Sequence, residues 1–334
     1  MSIRSGTVLP KAGKSPSSGF EAMIEQATDV DSALLSHGRL RALIDGRGPR
    51  IEEFLLNSYR FGGGTPSALT ANLWGAYSIN KILPTYVGSA LRVRRSSDNA
   101  EQDIGFSGTA LDTASLASFV GLDSAYVTRM YDQSGIGGDV VQVTAAKQPR
   151  LISAGVYDGF VRFDGAAHGF QSANSSGTPT GITVFLKGQL RSTGTGTQVY
   201  LELSPDGVVN AGLLAYLNVG NLRTQLYSGP SANRIGPWYN TSFRTAGVHG
   251  IRLDRTSLAG KASQLPLFTN GVSISAGGTD DGSATSPAAV ASNKWNIGAR
   301  DNAASLWAPL NLTSMLIYEA AKSDADMLTI SGLL

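Results

Sequence analysis

The sequence predicts a mainly β chain, a two-sheet sandwich preceded by a short helical N-terminal arm, on three observations. Short β-like runs recur from Val156 to Tyr318, each bounded by Gly, Asn, Asp or Ser. Forty of the 334 residues are glycine, well above the usual share of about 7%, and no collagen period accompanies them. Apolar residues at helical spacing are concentrated before residue 60. With 42% hydrophobic and 16% charged residues, the chain can bury a core.

Residues 1–19 are polar and rich in Gly, Ser, Pro and Lys, and are expected to form an extended arm. From Phe20 to Leu56 the spacing predicts one or two short helices, interrupted by Gly38, Gly46, Gly48 and Pro49. A joint at Arg60–Pro66 then divides the chain into segment 1–66, read as an attachment or adaptor piece, and a sandwich over 67–334. Leu73 to Leu83 reads as a short helix ending before Pro84. Leu91–Arg95 reads as a half-buried strand closed by the turn formers Ser96, Ser97, Asp98 and Asn99. Asp112 and Gly121 are placed as N-cap and stop of a helix, and Ala125–Tyr131 returns as a strand.

Nine further strands follow: Val156–Phe163, Ile182–Gln189, Gln198–Leu203, Ala211–Asn218, Leu222–Tyr227, Gly247–Asp254, Leu265–Phe268, Lys294–Ile297 and Leu312–Tyr318. Asn270-Gly271 is the clearest hairpin signal among them. Ser323 and the residues after it read as an N-capped terminal helix or turn.

A net charge of +2 with dispersed Lys and Arg argues against a nucleic-acid partner. The absence of cysteine excludes disulfides and thiolate metal sites. The N-terminus lacks the apolar stretch of a secretory signal, and no run reaches the roughly 18 apolar residues of a membrane span. Synthesis in a cytosol without membrane insertion is therefore expected.

The segments RVRRSSDNAEQDIGF, LDTASLASFVG, VTRMYDQSGIGGDVVQ and AAKQPRL, within residues 74–170, resemble a stretch of phage and prophage tail or spike proteins. The YDQSG element with its following glycines also resembles, more distantly, the catalytic domain of α-L-arabinofuranosidase B. Together with the strand pattern, this implies a concanavalin A-like (LamG-like) jelly roll.

Glycoside hydrolysis needs two carboxylates about 5 to 5.5 Å apart for retention, or about 6.5 to 9.5 Å for inversion. The candidates are Asp301, in a loop similar to the one where the arabinofuranosidase B family places its acid, and Glu202, with Asp206 as its alternate. The resemblance is incomplete, because that family's vicinal cysteine pair is missing. The competing readings are an Asx turn of Asp301 with Asn302 and a solvent-facing strand position for Glu202.

For sugar binding the candidates are Trp238, Tyr239 and Tyr227, with the polar groups of Asp132 and Asn302. Trp295 is assigned to the core, and Asp132 is preferred as a cap of the Gly-rich loop after it. Ser96 to Asp103 offers enough oxygens for Ca²⁺ but matches no EF-hand spacing. A solvated corner is preferred there, and no cofactor is expected unless that cluster holds Ca²⁺.

The leading expectation is a phage virion appendage, a tail fibre or spike subunit that recognises host surface polysaccharide. In that reading residues 1–66 contact other virion proteins, and the subunits form a homotrimer. The alternatives are a glycoside hydrolase acting on host polysaccharide and a structural or decoration protein of the particle.

Overall fold

The computed structural model describes residues 67–334 except 178, 180, 192–195, 206–211, 219–220, 228–233, 240–245, 255–264, 280–292 and 302. The expected arm, residues 1–66, lies outside the described residues, as does Asp206.

Helix α1 (Ser67–Thr70) leads into strands β1 (Leu73–Ser78), β2 (Leu91–Arg95), β3 (Glu101–Ile104), β4 (Phe106–Ser107) and β5 (Ala110–Leu111). Helix α2 (Thr113–Val120) is followed by β6 (Ala125–Met130), β7 (Val140–Val141), β8 (Arg150–Ser153), β9 (Val156–Asp164) and β10 (Phe170–Ser172). Then come β11 (Gly181–Leu190), β12 (Thr197–Ser204), β13 (Leu213–Asn218), β14 (Asn221–Tyr227), β15 (Arg234–Ile235) and β16 (Pro237–Tyr239). The chain closes with β17 (Gly247–Asp254), β18 (Leu267–Thr269), β19 (Val272–Ile274), β20 (Gly278–Thr279), β21 (Lys294–Ile297), β22 (Pro309–Tyr318) and helix α3 (Asp324–Leu333).

The fold is an antiparallel β-sandwich of jelly-roll type. Strand β22 organises one layer: β11 pairs along its length, while β9 and β1 share its other edge. That layer continues from β11 through β17 and β18 to β19. From β9 the ladder turns through β8 and β6 to β2 and β3. Strand β6 also pairs with β7, which begins the second layer, β7–β10–β21–β12–β13–β14, edged by β16 and β20. Between the layers lies the main core, which includes Leu91, Val127, Phe163, Phe170, Leu201, Leu203, Trp295 and Leu310. Alternation along each strand drives this, because every second side chain leaves water.

The expected helix over Leu73–Leu83 is instead strand β1, a correction with a clear cause. All six of its residues are buried, Trp74 and Tyr77 in the main core, Leu73 and Ala76 in a second cluster beneath α3. A strand buried on both faces shows no period of two, so its apolar run reads like a helix.

Local chemistry fixes the ends of several elements. Asp112 accepts a hydrogen bond from the Ser115 N–H at 3.0 Å at the start of α2, and Gly121 stops it with a φ of 61°. Asn270 and Gly271, with φ of 49° and 80°, turn β18 into β19. Positive φ at both central residues is what a type I′ hairpin requires.

Helix α3 begins with a capping box in which Ser323 Oγ accepts from the Asp326 N–H and Asp326 accepts from the Ser323 N–H. It seats Met327 and Ile330 on Phe185 and Phe268 of the outer sheet face. Ser323→Ala is expected to lower unfolding free energy by about 1 kcal/mol, seen as a lower urea midpoint with an unchanged slope.

Candidate active site: Glu202 under the Asp301 loop

Glu202 lies on β12 between Asn296 of β21 and Leu214 of β13. A register shift between Val199 and Leu201 marks a bulge at Tyr200. Tyr200, Leu201 and Leu203 join the main core, whereas Val199 packs with Leu214, Tyr216 and Leu306 on the outer face. Glu202 shares that outer face with its cross-strand partners. It is not a solvent-facing strand residue, however, for it is 1% exposed. The loop from Gly298 to Ala308 covers it.

That loop is tied down along its length. The Gly298 N–H donates to the Tyr200 carbonyl at 2.9 Å, the Val199 N–H to the Leu306 carbonyl at 2.8 Å, and the Ala308 N–H to the Gly298 carbonyl at 2.7 Å. Gly298 has a φ of 76°, and a Cβ there would lie 2.2 Å from Phe163 Cδ1, so no other residue fits. Three non-glycine residues, Asp301, Ala303 and Leu306, also have φ values of 47° to 58°. Asp tolerates this conformation, but Ala and Leu do so only at a cost, of order 1–3 kcal/mol each, that surrounding contacts must offset.

The result is a three-residue constellation. Arg300 Nε stands 3.1 Å from Glu202 Oε1, with the two side chains only 11% and 2% exposed. The Asp301 N–H donates to Glu202 Oε2, also at 3.1 Å. Residues 99 positions apart in sequence therefore meet, and Asp301 itself remains half-buried. A polar row extends the floor away from them: Gln171 Nε2 donates to Asn296 Oδ1 at 3.2 Å, and Asn296 Nδ2 to Ser204 Oγ at 3.4 Å. At the end of the loop the Trp307 indole N–H donates to the Ala303 carbonyl at 3.1 Å.

The remaining sequence candidates fall elsewhere. Asp132 is 6% exposed, and its two oxygens accept from the N–H groups of Ala76, Ser134, Ile136 and Gly137 and from the Ser134 hydroxyl, all at 2.7–3.0 Å. It braces the Gly-rich loop, and the ligand-binding reading is corrected accordingly. Tyr239 is a core ring, 1% exposed, whose hydroxyl donates to the Leu265 carbonyl at 2.9 Å; it offers no face to a sugar. The side chains of Trp238 and Tyr227, and residue Asn302, lie outside the described residues.

The acidic corner proposed for Ca²⁺ is matched by arginines: Arg95 holds Asp98 at 2.6 Å and Arg92 holds Glu101 at 2.8 Å. The hydrogen bond from Arg95, helped by the Ala100 N–H, brings the Asp98 carboxyl down to about 2. Among the described residues no group of three or more His, Asp or Glu side chains could hold a metal ion. Sequence reasoning missed Arg300 as the partner of Glu202. Its adjacency to Asp301 was the sole signal, since nothing in a strand pattern reveals which charge will fold beneath a loop.

The family model "Alpha-L-arabinofuranosidase B, catalytic" matches residues 62–167. An arabinofuranosidase solved in complex with arabinofuranosyl-α-1,2-xylobiose is similar at 13% identity and a TM-score of 0.55, over 81% of this chain and 65% of that one. A GH54 α-L-arabinofuranosidase soaked with a cyclic sulfate inhibitor gives 13% identity and a TM-score of 0.56, over 78% and 62%. The chain thus spans less than two thirds of these structures. At such identity the likeness shows the fold. No curated protein matches the chain. The expectation of a phage tail fibre or spike subunit recognising its host is corrected by these findings, because the matched model and both solved structures are arabinofuranosidases.

Proposed function

We propose that this chain is a glycoside hydrolase of the arabinofuranosidase type, with Glu202 and Asp301 as its carboxylate pair. The observation that carries the reading is the hydrogen bond from the Asp301 N–H to Glu202, delivered by a loop with three left-handed non-glycine residues. Strain of this kind gathers where a fixed side-chain position matters. With that bond at 3.1 Å, ordinary bond lengths keep the two carboxyl carbons within roughly 8 Å of each other. This separation admits either retention or inversion.

In this reading Asp301, on the accessible side, exchanges the proton with the leaving oxygen. Glu202, held in an ion pair by Arg300 beneath the loop, supplies a fixed negative charge beneath the site where the oxocarbenium ion develops. The matched family and the fold neighbours support an α-L-arabinofuranoside as the substrate class.

The test is incubation of the full chain with arabinofuranosyl-substituted xylo-oligosaccharides, reading free arabinose by chromatography. Release is expected. No release from any arabinofuranoside, at enzyme concentrations up to micromolar, removes the proposal.

A further inference from the structure

A second polar row crosses the other layer, on the face pointing away from the core. Arg150 of β8 is the cross-strand partner of Arg162 of β9, Arg162 of Asn311 in β22, and Asn311 of Gln189 in β11. The flanking residues Val161, Phe163, Leu310, Leu312 and Leu190 point into the core, so this row faces outward. Arg191 lies two residues beyond Gln189, the same face by alternation. Its Nη2 donates to the Phe163 carbonyl at 2.9 Å, while its Nε is buried without a hydrogen-bond partner among the described residues.

Three guanidiniums therefore gather on one patch, two of them directly opposite each other. Like charges in that relation are destabilising unless something offsets them. The protein supplies little. Asp158 pairs with Arg150 at 3.2 Å. Asp164, nearby, gives Oδ1 to the N–H groups of Ala166, Ala167 and His168 in its own turn and Oδ2 to His168. The Arg162 guanidinium has no hydrogen-bond or ion-pair partner among the described residues; its carbonyl lies 3.4 Å from His168 Nδ1. Arg191 is pushed below the ordinary arginine range by burial first, then by Arg162, so the two cations feel each other.

We propose that Arg150, Arg162 and Arg191 form an oxyanion-binding site that takes the carboxylate of an acidic saccharide. Planar guanidiniums bind carboxylates through paired N–H donors, which a point charge cannot do. The saccharide part of this assignment rests on the hydrolase reading; the anion site stands on the arginines alone.

The experiment is isothermal titration of the full-length Asp301→Asn protein with a uronic-acid oligosaccharide, a neutral arabino-oligosaccharide and inorganic sulfate, at low and at 0.5 M salt. Working with this variant separates binding from turnover, so failure of hydrolysis and failure of binding are read apart. The uronate oligomer is expected to bind, to weaken with salt, and to lose at least ten-fold in affinity when Arg162→Gln is added. The neutral oligomer should be indifferent to that change. Since the Arg162 guanidinium has no partner to lose among the described residues and stands opposite Arg150, its substitution should leave the thermal midpoint in place or raise it. Undiminished uronate binding by the Arg162→Gln protein, or no binding of any anion, overturns the proposal. Binding of sulfate without the oligosaccharide overturns the saccharide assignment and leaves a free-anion site.

Discussion

Asp132→Ala is expected to destabilise the sandwich by about 3–5 kcal/mol. The side chain is buried and terminates four backbone N–H groups, those of Ala76, Ser134, Ile136 and Gly137. Leaving buried donors unsatisfied costs about 1–3 kcal/mol each, less where water can enter. Of the four donors only the Ile136 N–H has a second acceptor, Ser134 Oγ at 3.2 Å, and the loop is pressed against β1: a Cβ on Gly137 would sit 2.5 Å from the Trp74 carbonyl oxygen. Gln133 extends the brace, accepting from the Ile82 N–H at 2.7 Å and donating to the Asn80 carbonyl at 2.9 Å. Urea unfolding at neutral pH checks the figure, and a loss below about 1 kcal/mol would mean that the motif does not hold the loop. Asp132→Asn, which keeps one acceptor, should fall between.

Glu202→Gln should cost a similar amount, about 3–5 kcal/mol, for a different reason. It preserves shape and one acceptor for the Asp301 N–H, but leaves the Arg300 guanidinium buried without its countercharge, which is the expensive way to break a buried pair. Glu202→Leu combined with Arg300→Met removes both charges and should return most of that stability, since apolar replacement of a buried pair is often neutral or better. A double-mutant cycle by chemical denaturation separates these cases. If the single and double variants are equally destabilised, Arg300 and Glu202 are not coupled. Because Glu202→Gln disturbs folding and chemistry together, it is a poor probe of catalysis alone.

The nine expected strands from Val156 to Tyr318 were legible because each is apolar and bounded by a turn residue whose backbone preference is local, whereas the two- and three-residue strands β10, β15, β16 and β20 are too short to carry a pattern. The Asn270-Gly271 hairpin and the caps at Asp112 and Ser323 were legible on the same ground. Strand β1 was not, because burial on both faces erases alternation. Nor was the burial of Glu202. Counting by twos along TyrLeuGluLeu cannot reveal the bulge at Tyr200, nor that a loop nearly 100 residues later folds over that position. The YDQSG element shows the converse: its residues suit chemistry by type, yet the partners of Asp132, Gln133 and Ser134 are mostly backbone groups of the Gly-rich loop, of β1 and of the segment after it. Type and spacing expose local structure, while a site assembled across the sheets depends on pairings that only the folded chain displays.

The most direct test of the carboxylate pair is the initial rate on 4-nitrophenyl α-L-arabinofuranoside of the wild type against Asp301→Asn. Asp301 is half-buried on the accessible side of the loop, and its contact with Glu202 is made by its backbone, so the substitution should leave stability within about 1 kcal/mol. Loss of a general acid should lower the rate by about 10²–10⁴-fold. A folded Asp301→Asn protein that hydrolyses this substrate at the wild-type rate would contradict the account.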